Sequence, residues 1–347
     1  MNNVEVDNKK VYLVTGSVGF IGYFLCKSLL EKGCRIIGVD NLSDYYDVNL
    51  KHERLKRLKI FKDFSFIQED ISNKKAVDDI FNEQRPDIVV NLAAQPGVRY
   101  SLINPDAYIQ SNLIGFYNIL EACRKHPVSH LVYASSSSVY GLENKGPFLE
   151  SDFTDKPISL YAATKKSNEL VAYAYSYLYK IPMTGLRFFT VYGPFGRPDM
   201  AYFEFTNKYF AGQPITIYQN SGSENIVYRD FTYIDDIVEG IEKVLGNHPT
   251  GDAPSIVYNI GNNRPESLIN FIQTLEKSLS EAIGKEVVFQ KIYQSVQPGD
   301  VMATYASIDL IKNAVGFEPK VSIQEGLRKF AAWYVEYYNL RKGYSIL

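Results

Sequence analysis

The chain has 347 residues, enough for one large domain or about two ordinary ones, and 46% of them are hydrophobic against 22% charged. Its 37 basic and 39 acidic residues leave a formal net charge of -2, so no whole-protein field favours nucleic acid or an anionic membrane. Three cysteines (Cys26, Cys34, Cys123) and four histidines (His52, His126, His130, His248) are scattered without metal-ligand spacing, which predicts reduced packing thiols and no metal centre.

The first ten residues, MNNVEVDNKK, lack the apolar centre of a secretion signal, and no later run reaches the roughly 18 apolar residues of a membrane span. A cytoplasmic protein is expected. Through the first half, strand patterns at 11–14, 36–39, 64–67, 88–91 and 130–133 alternate with segments long enough for crossover helices, the first over 20–30. Repeated strand–helix units predict an α/β fold with a doubly wound parallel sheet covered on both faces. The basic stretch KHERLKRLKIFK at 51–62 has Leu55, Leu58 and Phe61 near helical spacing. A membrane-surface helix and a packed helix with a solvated basic face both fit, and the second is the simpler. After residue 181 the rhythm breaks at Gly193-Pro194, Arg197-Pro198 and Gln213-Pro214, and helical patterns return at 235–245, 267–283 and 323–340. The expected division is a first domain over 1–187 and a smaller, partly interleaved region over 188–347. Within the second, YQNSGSENIVYRD at 218–230 reads as an exposed turn entering a strand.

The first strand runs into TGSVGFIG, which sets Gly16, Gly19 and Gly22 at a strand-to-helix turn. Bare backbone there can approach a pyrophosphate, whose charge suits a helix N-terminus. Asp40 closes the second strand 18 residues beyond Gly22, where a carboxylate can accept hydrogen bonds from ribose hydroxyls and would repel a 2'-phosphate. This context points to NAD in preference to NADP. Asp70, in FIQEDI, is either a helix cap or, with Ile71, a wall of the adenine pocket. Ala93, in NLAA, gives the small side chain that a cofactor passing the strand end requires, or simply packs closely.

YASSSSVYG at 133–141 puts four serines after an apolar run, as a solvated loop or as hydroxyls held for chemistry. SLYAATKK supplies Tyr161 and Lys165 four residues apart, on one face of a helix, where an ammonium favours phenolate over phenol. In a chain with 27 tyrosines that spacing alone is weak.

Taken together, the glycine turn, Ser136 and the Tyr161–Lys165 pair resemble the extended short-chain dehydrogenase/reductase family. The resemblance runs over nearly the whole chain, through LRFFTVYGPFGRPDMA to RDFTYIDDIVEG and QPGD. It implies a Rossmann-like fold, bound NAD, and Ser136, Tyr161 and Lys165 as the reactive group, with Phe20, Ile21, Asn41, Asn112 and Phe188 completing the cofactor contacts. Dehydratases of that family usually carry Thr-Asp-Glu before Val-Tyr-Gly, and decarboxylases a Glu nearby. Here the positions are Ser136, Ser137 and Ser138, which leave no carboxylate for elimination.

AAQPGVRYS, YASSSSVYG, SLYAATKK and RFFTVYGPFGRPDMA bring the chain nearest in resemblance to the UDP-glucuronate 4-epimerases. That likeness implies inversion at C4 of a UDP-hexuronic acid through a 4-keto sugar and transiently bound NADH. It gives the sugar carboxylate to Ser137, Ser138 and Thr190, and the UDP phosphates to Arg197 and Arg229. Tyr218 would stack on uracil, Gln213 and Asp300 would meet nucleotide oxygens or ribose, and Arg99 would approach the carboxylate or phosphates. Each also has a plain structural reading. Gln297 stands where UDP-galactose epimerases often have Arg, which loosens the phosphate assignments. The likeness further implies a homodimer through helices at 101–125 and 161–180, where VAYAYSYLY offers aromatic surface. Epimerisation of a neutral UDP-hexose or UDP-N-acetylhexosamine, decarboxylation, and NAD sensing without chemistry are the alternatives.

Overall fold

The computed structural model describes residues 6–142, 146–218, 227–295 and 303–340. Its first half alternates β1 (Val11–Thr15), α1 (Phe20–Glu31), β2 (Arg35–Asp40), α2 (Val48–Leu58), β3 (Phe64–Gln68), α3 (Lys74–Gln84) and β4 (Ile88–Asn91). α4 (Pro105–Tyr108), α5 (Gly115–Lys125), β5 (His130–Ser136), α6 (Leu160–Tyr179), β6 (Met183–Phe188), β7 (Thr190–Tyr192), α7 (Ala201–Phe210) and β8 (Ile215–Tyr218) follow. β9 (Tyr228–Tyr233), α8 (Ile234–Leu245), β10 (Ser255–Ile260), β11 (Pro265–Ser267), α9 (Leu268–Ile283), β12 (Lys291–Gln294), β13 (Ala303–Thr304), α10 (Asp309–Val315) and α11 (Ile323–Tyr337) complete the order.

Seven strands form one parallel sheet in the order β10-β6-β5-β4-β1-β2-β3. β4 and β6 are buried at every residue, as strands covered on both faces must be. Alternate side chains enter opposite cores: Val14, Ile36, Val90 and Val132 on one face, Leu13, Ile37, Val89 and Leu131 on the other. The chain reverses its direction of travel across the sheet between β1 and β4, and open sheets bind ligands beyond the strand ends at such a switch point.

β10, from the second half of the chain, pairs with β6 from Ser255↔Met183 to Ile260↔Phe188. Glu242 of α8 accepts a hydrogen bond from Ser28 of α1 at 2.7 Å. A boundary at 187 therefore cuts β6, and the second region is threaded into the first sheet. β11 (antiparallel) and β13 (parallel) lie on either side of β9, β7 also pairs with β9 in parallel, and β8 and β12 make a two-stranded ribbon.

Two expected helices differ in extent. α2 starts before residue 51 because Asp47 caps it, accepting from Asn49 N at 2.9 Å. The helix expected over 101–125 is interrupted: a 3-10 turn occupies Arg99–Leu102, Asn104 and Pro105 restart the chain as α4, and a π-turn at Ile109–Ile114 leads into α5. No helix among the described residues is long and apolar enough to cross a membrane.

Candidate active site

β1 hands over to α1 through backbone with no room for side chains. Gly16 has φ +68°, and a Cβ there would lie 2.8 Å from Ala93 N; one on Gly22 would lie 2.0 Å from Gly16 O. α1 begins on Gly19 with neither a side-chain cap nor an acidic residue in its first turn, so its N–H groups and positive dipole end remain open to an anion. Asp40, at the end of β2, accepts from Leu42 N at 2.9 Å and Val18 N at 3.3 Å, and Lys51 Nζ stands 3.6 Å from its Oδ1. Asn41 donates to Asp70 at 2.7 Å. Burial pushes the Asp70 carboxyl up, but hydrogen bonds from Ser72 and Asn41 outweigh it and hold the group below its usual range. Gly16, Gly19, Phe20, Ile21, Gly22, Asp40, Asn41, Asp70, Ile71, Ala93 and Phe188 line one cleft. A bare-backbone turn, an uncapped helix start and a strand-end carboxylate match a pyrophosphate and a ribose diol, so these residues fit NAD.

The serines that follow β5 are not a linker. The strand runs through Ser136, whose Oγ accepts from Ser138 N at 3.2 Å and starts a 3-10 turn at Ser137–Tyr140. Facing it, Ser159 caps α6 by accepting from Ala162 N at 3.1 Å, which fixes the turn that bears Tyr161. Ser135 to Ser138, Tyr161 and Lys165 enter the same cleft. Lys165 is buried, its Nζ donates to Ala134 O at 2.8 Å, and burial lowers it from 10.5 to about 8. Burial also raises the Tyr161 phenol, while a hydrogen bond with Ser136 and the positive charge of Arg197 pull it part of the way back. The sequence assigns that pull to Lys165. In the structure Ser136 and Arg197 add to that pull, and the lysine ammonium also donates to the Ala134 carbonyl.

The profile of the NAD dependent epimerase/dehydratase family matches residues 12–261. The chain belongs to this family. Among other proteins it is similar to Protein CapI of Staphylococcus aureus, with 49% identity covering 94% of this chain and 99% of the other. The probable UDP-glucuronate 4-epimerase of Rhizobium meliloti is 42% identical, covering 94% and 98%. The crystal structure of UDP-glucuronic acid 4-epimerase from Bacillus cereus, in complex with UDP-glucuronic acid and NAD, matches with a TM-score of 0.85 at 33% identity, covering 94% of this chain and 100% of that one.

On the substrate side of this NAD dependent epimerase/dehydratase fold, Ser137, Ser138, Thr190 and Arg197 reach the cleft that holds Tyr161. Asp199 grips Arg197 through Nε at 2.9 Å and through Nη2, and Tyr45 donates to the same carboxylate at 3.0 Å. The Arg99 guanidinium lies over the Tyr218 ring, 4.7 Å from its centroid, and neither borders the cleft. Arg229, on β9, donates to Tyr228 O at 2.8 Å. Gln213 is exposed on the turn closing α7, where its own N–H is bonded to Lys208 O. Asn112 is not among the residues that line the cleft. It is buried behind the cleft, accepting from Gln95 N at 2.8 Å and donating to Gln95 O at 3.1 Å and to Thr164 at 3.0 Å. Asp300, Gln297 and positions 219–226 of the expected turn lie outside the described residues.

Several residues of the site escape a motif reading. Glu169, one turn beyond Lys165, accepts from Ser135 Oγ at 2.6 Å and from Arg187 Nε and Nη2, each at 2.9 Å. This buried pair ties α6 to β5 and β6 on either side of the reactive group. Its signal was available: Tyr161, Lys165 and Glu169 recur every four residues on one helix face. α2 keeps the expected solvated basic face at His52, Lys56 and Arg57, but Lys51 and Arg54 turn inward and are buried.

Proposed function

We propose that this enzyme inverts C4 of UDP-glucuronate to give UDP-galacturonate. The observation that carries the reading is the company Tyr161 keeps: four consecutive serines (Ser135 to Ser138), Thr190 and Arg197 share its cleft, and the 136–138 turn contains no carboxylate. The 42% and 33% identical proteins named for this reaction support it.

Bound NAD supplies a hydride acceptor for C4 that later returns the hydride to the opposite face, leaving no net oxidation. Tyr161 takes the C4 hydroxyl proton, helped by Ser136 and Arg197 and by the Lys165 ammonium one turn along α6, and gives the proton back after the sugar has turned. Ser136, bonded to that phenol, steadies the same sugar oxygen. A 4-keto uronate is a β-keto acid and loses carbon dioxide when its carboxylate bond aligns with the carbonyl π system. Ser137, Ser138 and Thr190 offer hydroxyl donors that hold the carboxylate away from that alignment. Arg197 lends positive charge at this end of the cleft, so we assign it to the uronate in preference to the phosphates.

The same reading includes a homodimer. Leu170, Tyr173, Tyr177 and Leu178 of α6 are 60%, 57%, 56% and 62% exposed, and α6 is joined to α5 by Tyr175 donating to Glu121 at 2.8 Å. A second copy of this chain, packing its own α5 and α6 across a two-fold axis, would cover that surface.

The test is incubation of the purified enzyme with UDP-glucuronate, UDP-glucose and UDP-N-acetylglucosamine separately, with identification of every nucleotide sugar formed. UDP-galacturonate from the first, with little conversion of the others, is expected. Conversion of the neutral sugars alone would replace the reading by a UDP-hexose epimerase, and a UDP-pentose as main product by a decarboxylase.

A further inference from the structure

Arg54 is fully buried in α2 and forms no ion pair among the described residues. Its two terminal nitrogens are bonded instead to oxygens from separate parts of the chain, while its buried Nε has no partner among the described residues. Nη1 donates to Val18 O at 2.9 Å, inside the glycine turn, and to Tyr46 Oη at 2.7 Å. Nη2 donates to Phe195 O at 2.6 Å and Gly196 O at 3.2 Å, the two residues that precede Arg197. Phe195 sits at φ +52°, in the left-handed region that non-glycine residues seldom adopt, so the loop needs outside support to keep this course.

Burying a guanidinium without a counter-ion is less favourable than filling the space with an apolar side chain, so core stability does not account for arginine here. Geometry does. A rigid planar fork can bind carbonyls of two segments at once, which a lysine ammonium cannot reproduce. The segment that leads into α2 grips the far side of the same loop, through Tyr45 and Asp199.

We propose that Arg54 is a positioning residue that locks the loop bearing Arg197 to the glycine turn, and so sets the distance between the dinucleotide and sugar halves of the cleft. It lines neither half and acts through Val18, Phe195 and Gly196. The proposal rests on the assignment of Arg197 to the sugar end made above. A built-in reporter exists: Trp333, the only tryptophan in the chain, packs on Phe195 with ring centroids 4.8 Å apart.

The experiment compares Arg54→Lys, Arg197→Lys and the double variant with the unsubstituted enzyme. It measures thermal midpoint, bound NAD, Trp333 emission, and kcat and KM for UDP-glucuronate. Arg54→Lys should keep its NAD, shift Trp333 emission to the red, and raise KM about tenfold. In the Arg197→Lys background the same change should add less than about threefold, because both substitutions disable one device. Effects that multiply, or an unaltered emission spectrum with unaltered KM, would overturn the proposal and leave Arg54 a core residue. Should Arg54→Lys fail to fold, Tyr46→Phe removes one partner of Nη1 and is expected to shift emission and KM in the same direction, about two- to fivefold in KM. No change in that variant counts against the proposal. If the unsubstituted enzyme does not turn over UDP-glucuronate, the functional reading falls, while the emission comparison still judges Arg54.

Discussion

Replacing Lys165 with Met should make the NAD-free protein more stable while abolishing its turnover. The lysine is buried and its pKa is lowered from 10.5 to about 8, so the folded state holds the proton less tightly than the unfolded chain does. The sign follows: below about pH 8 the ammonium is present in both states and its burial costs stability, and the cost fades as pH rises from about 8 to 10.5. The displacement corresponds to about 3 kcal/mol. Loss of the hydrogen bond to Ala134 O offsets about 1 kcal/mol, leaving a net gain near 2 kcal/mol at pH 7. For a chain of this length that is about 3 °C in Tm. Thermal and urea melts of NAD-stripped protein at pH 7 and pH 9.5 would measure it, the gain shrinking towards zero at the higher pH as the parent sheds its proton. A Lys165→Met protein that is less stable than the parent at pH 7, or a difference that ignores pH, would refute the reasoning. The outcome would show a catalytic group held in place at the expense of the fold.

Tyr161→Phe should retain fold and NAD content but lose about 10²–10⁴ in epimerisation rate, and a parental rate in purified protein would remove Tyr161 as the base. The Ser137→Ala, Ser138→Ala double variant should still oxidise C4 but release UDP-pentose, detected by chromatography of the nucleotide sugars; normal turnover with no such product would shift the restraint to Thr190 and Arg197. Glu169→Gln leaves Arg187 buried against a neutral partner, and urea unfolding should show a loss of about 3–5 kcal/mol; a loss under about 1 kcal/mol would contradict the burial of the pair. Light scattering across a dilution series should give a dimer for the parent and a monomer for Tyr173→Glu, Tyr177→Glu, whereas a monomeric parent would dismiss the dimer.

Periodicity in the sequence marked five of the seven strands of the sheet, each by its own apolar run, but not β6 or β10, and the glycine turn was legible because backbone crowding at Gly16 and Gly22 leaves no chemical substitute. The Tyr161–Lys165 pair was legible as spacing, but its electrostatics were not. That the ammonium also donates to a carbonyl depends on β5, some thirty residues away, which supplies the Ala134 oxygen. The buried hydrogen bonds of Asn112 were hidden for a related reason: a motif position carries no information about which way a π-turn will point a side chain. Arg54 was hidden because its partners are main-chain oxygens, which no residue type marks.

The late arrival of β10 has a consequence for how the enzyme is made. When Phe188 leaves the ribosome, β6 has a neighbour on one side only, and its second neighbour does not begin until Ser255. At about 5–20 residues per second, those 67 residues (255 minus 188) take about 3–13 s to synthesise. Throughout that interval every nascent copy displays an open, apolar strand edge that a neighbouring copy on the same messenger can pair with. Slower translation across 188–255 should therefore lower the yield of soluble enzyme while leaving the melting temperature of the finished fold unchanged.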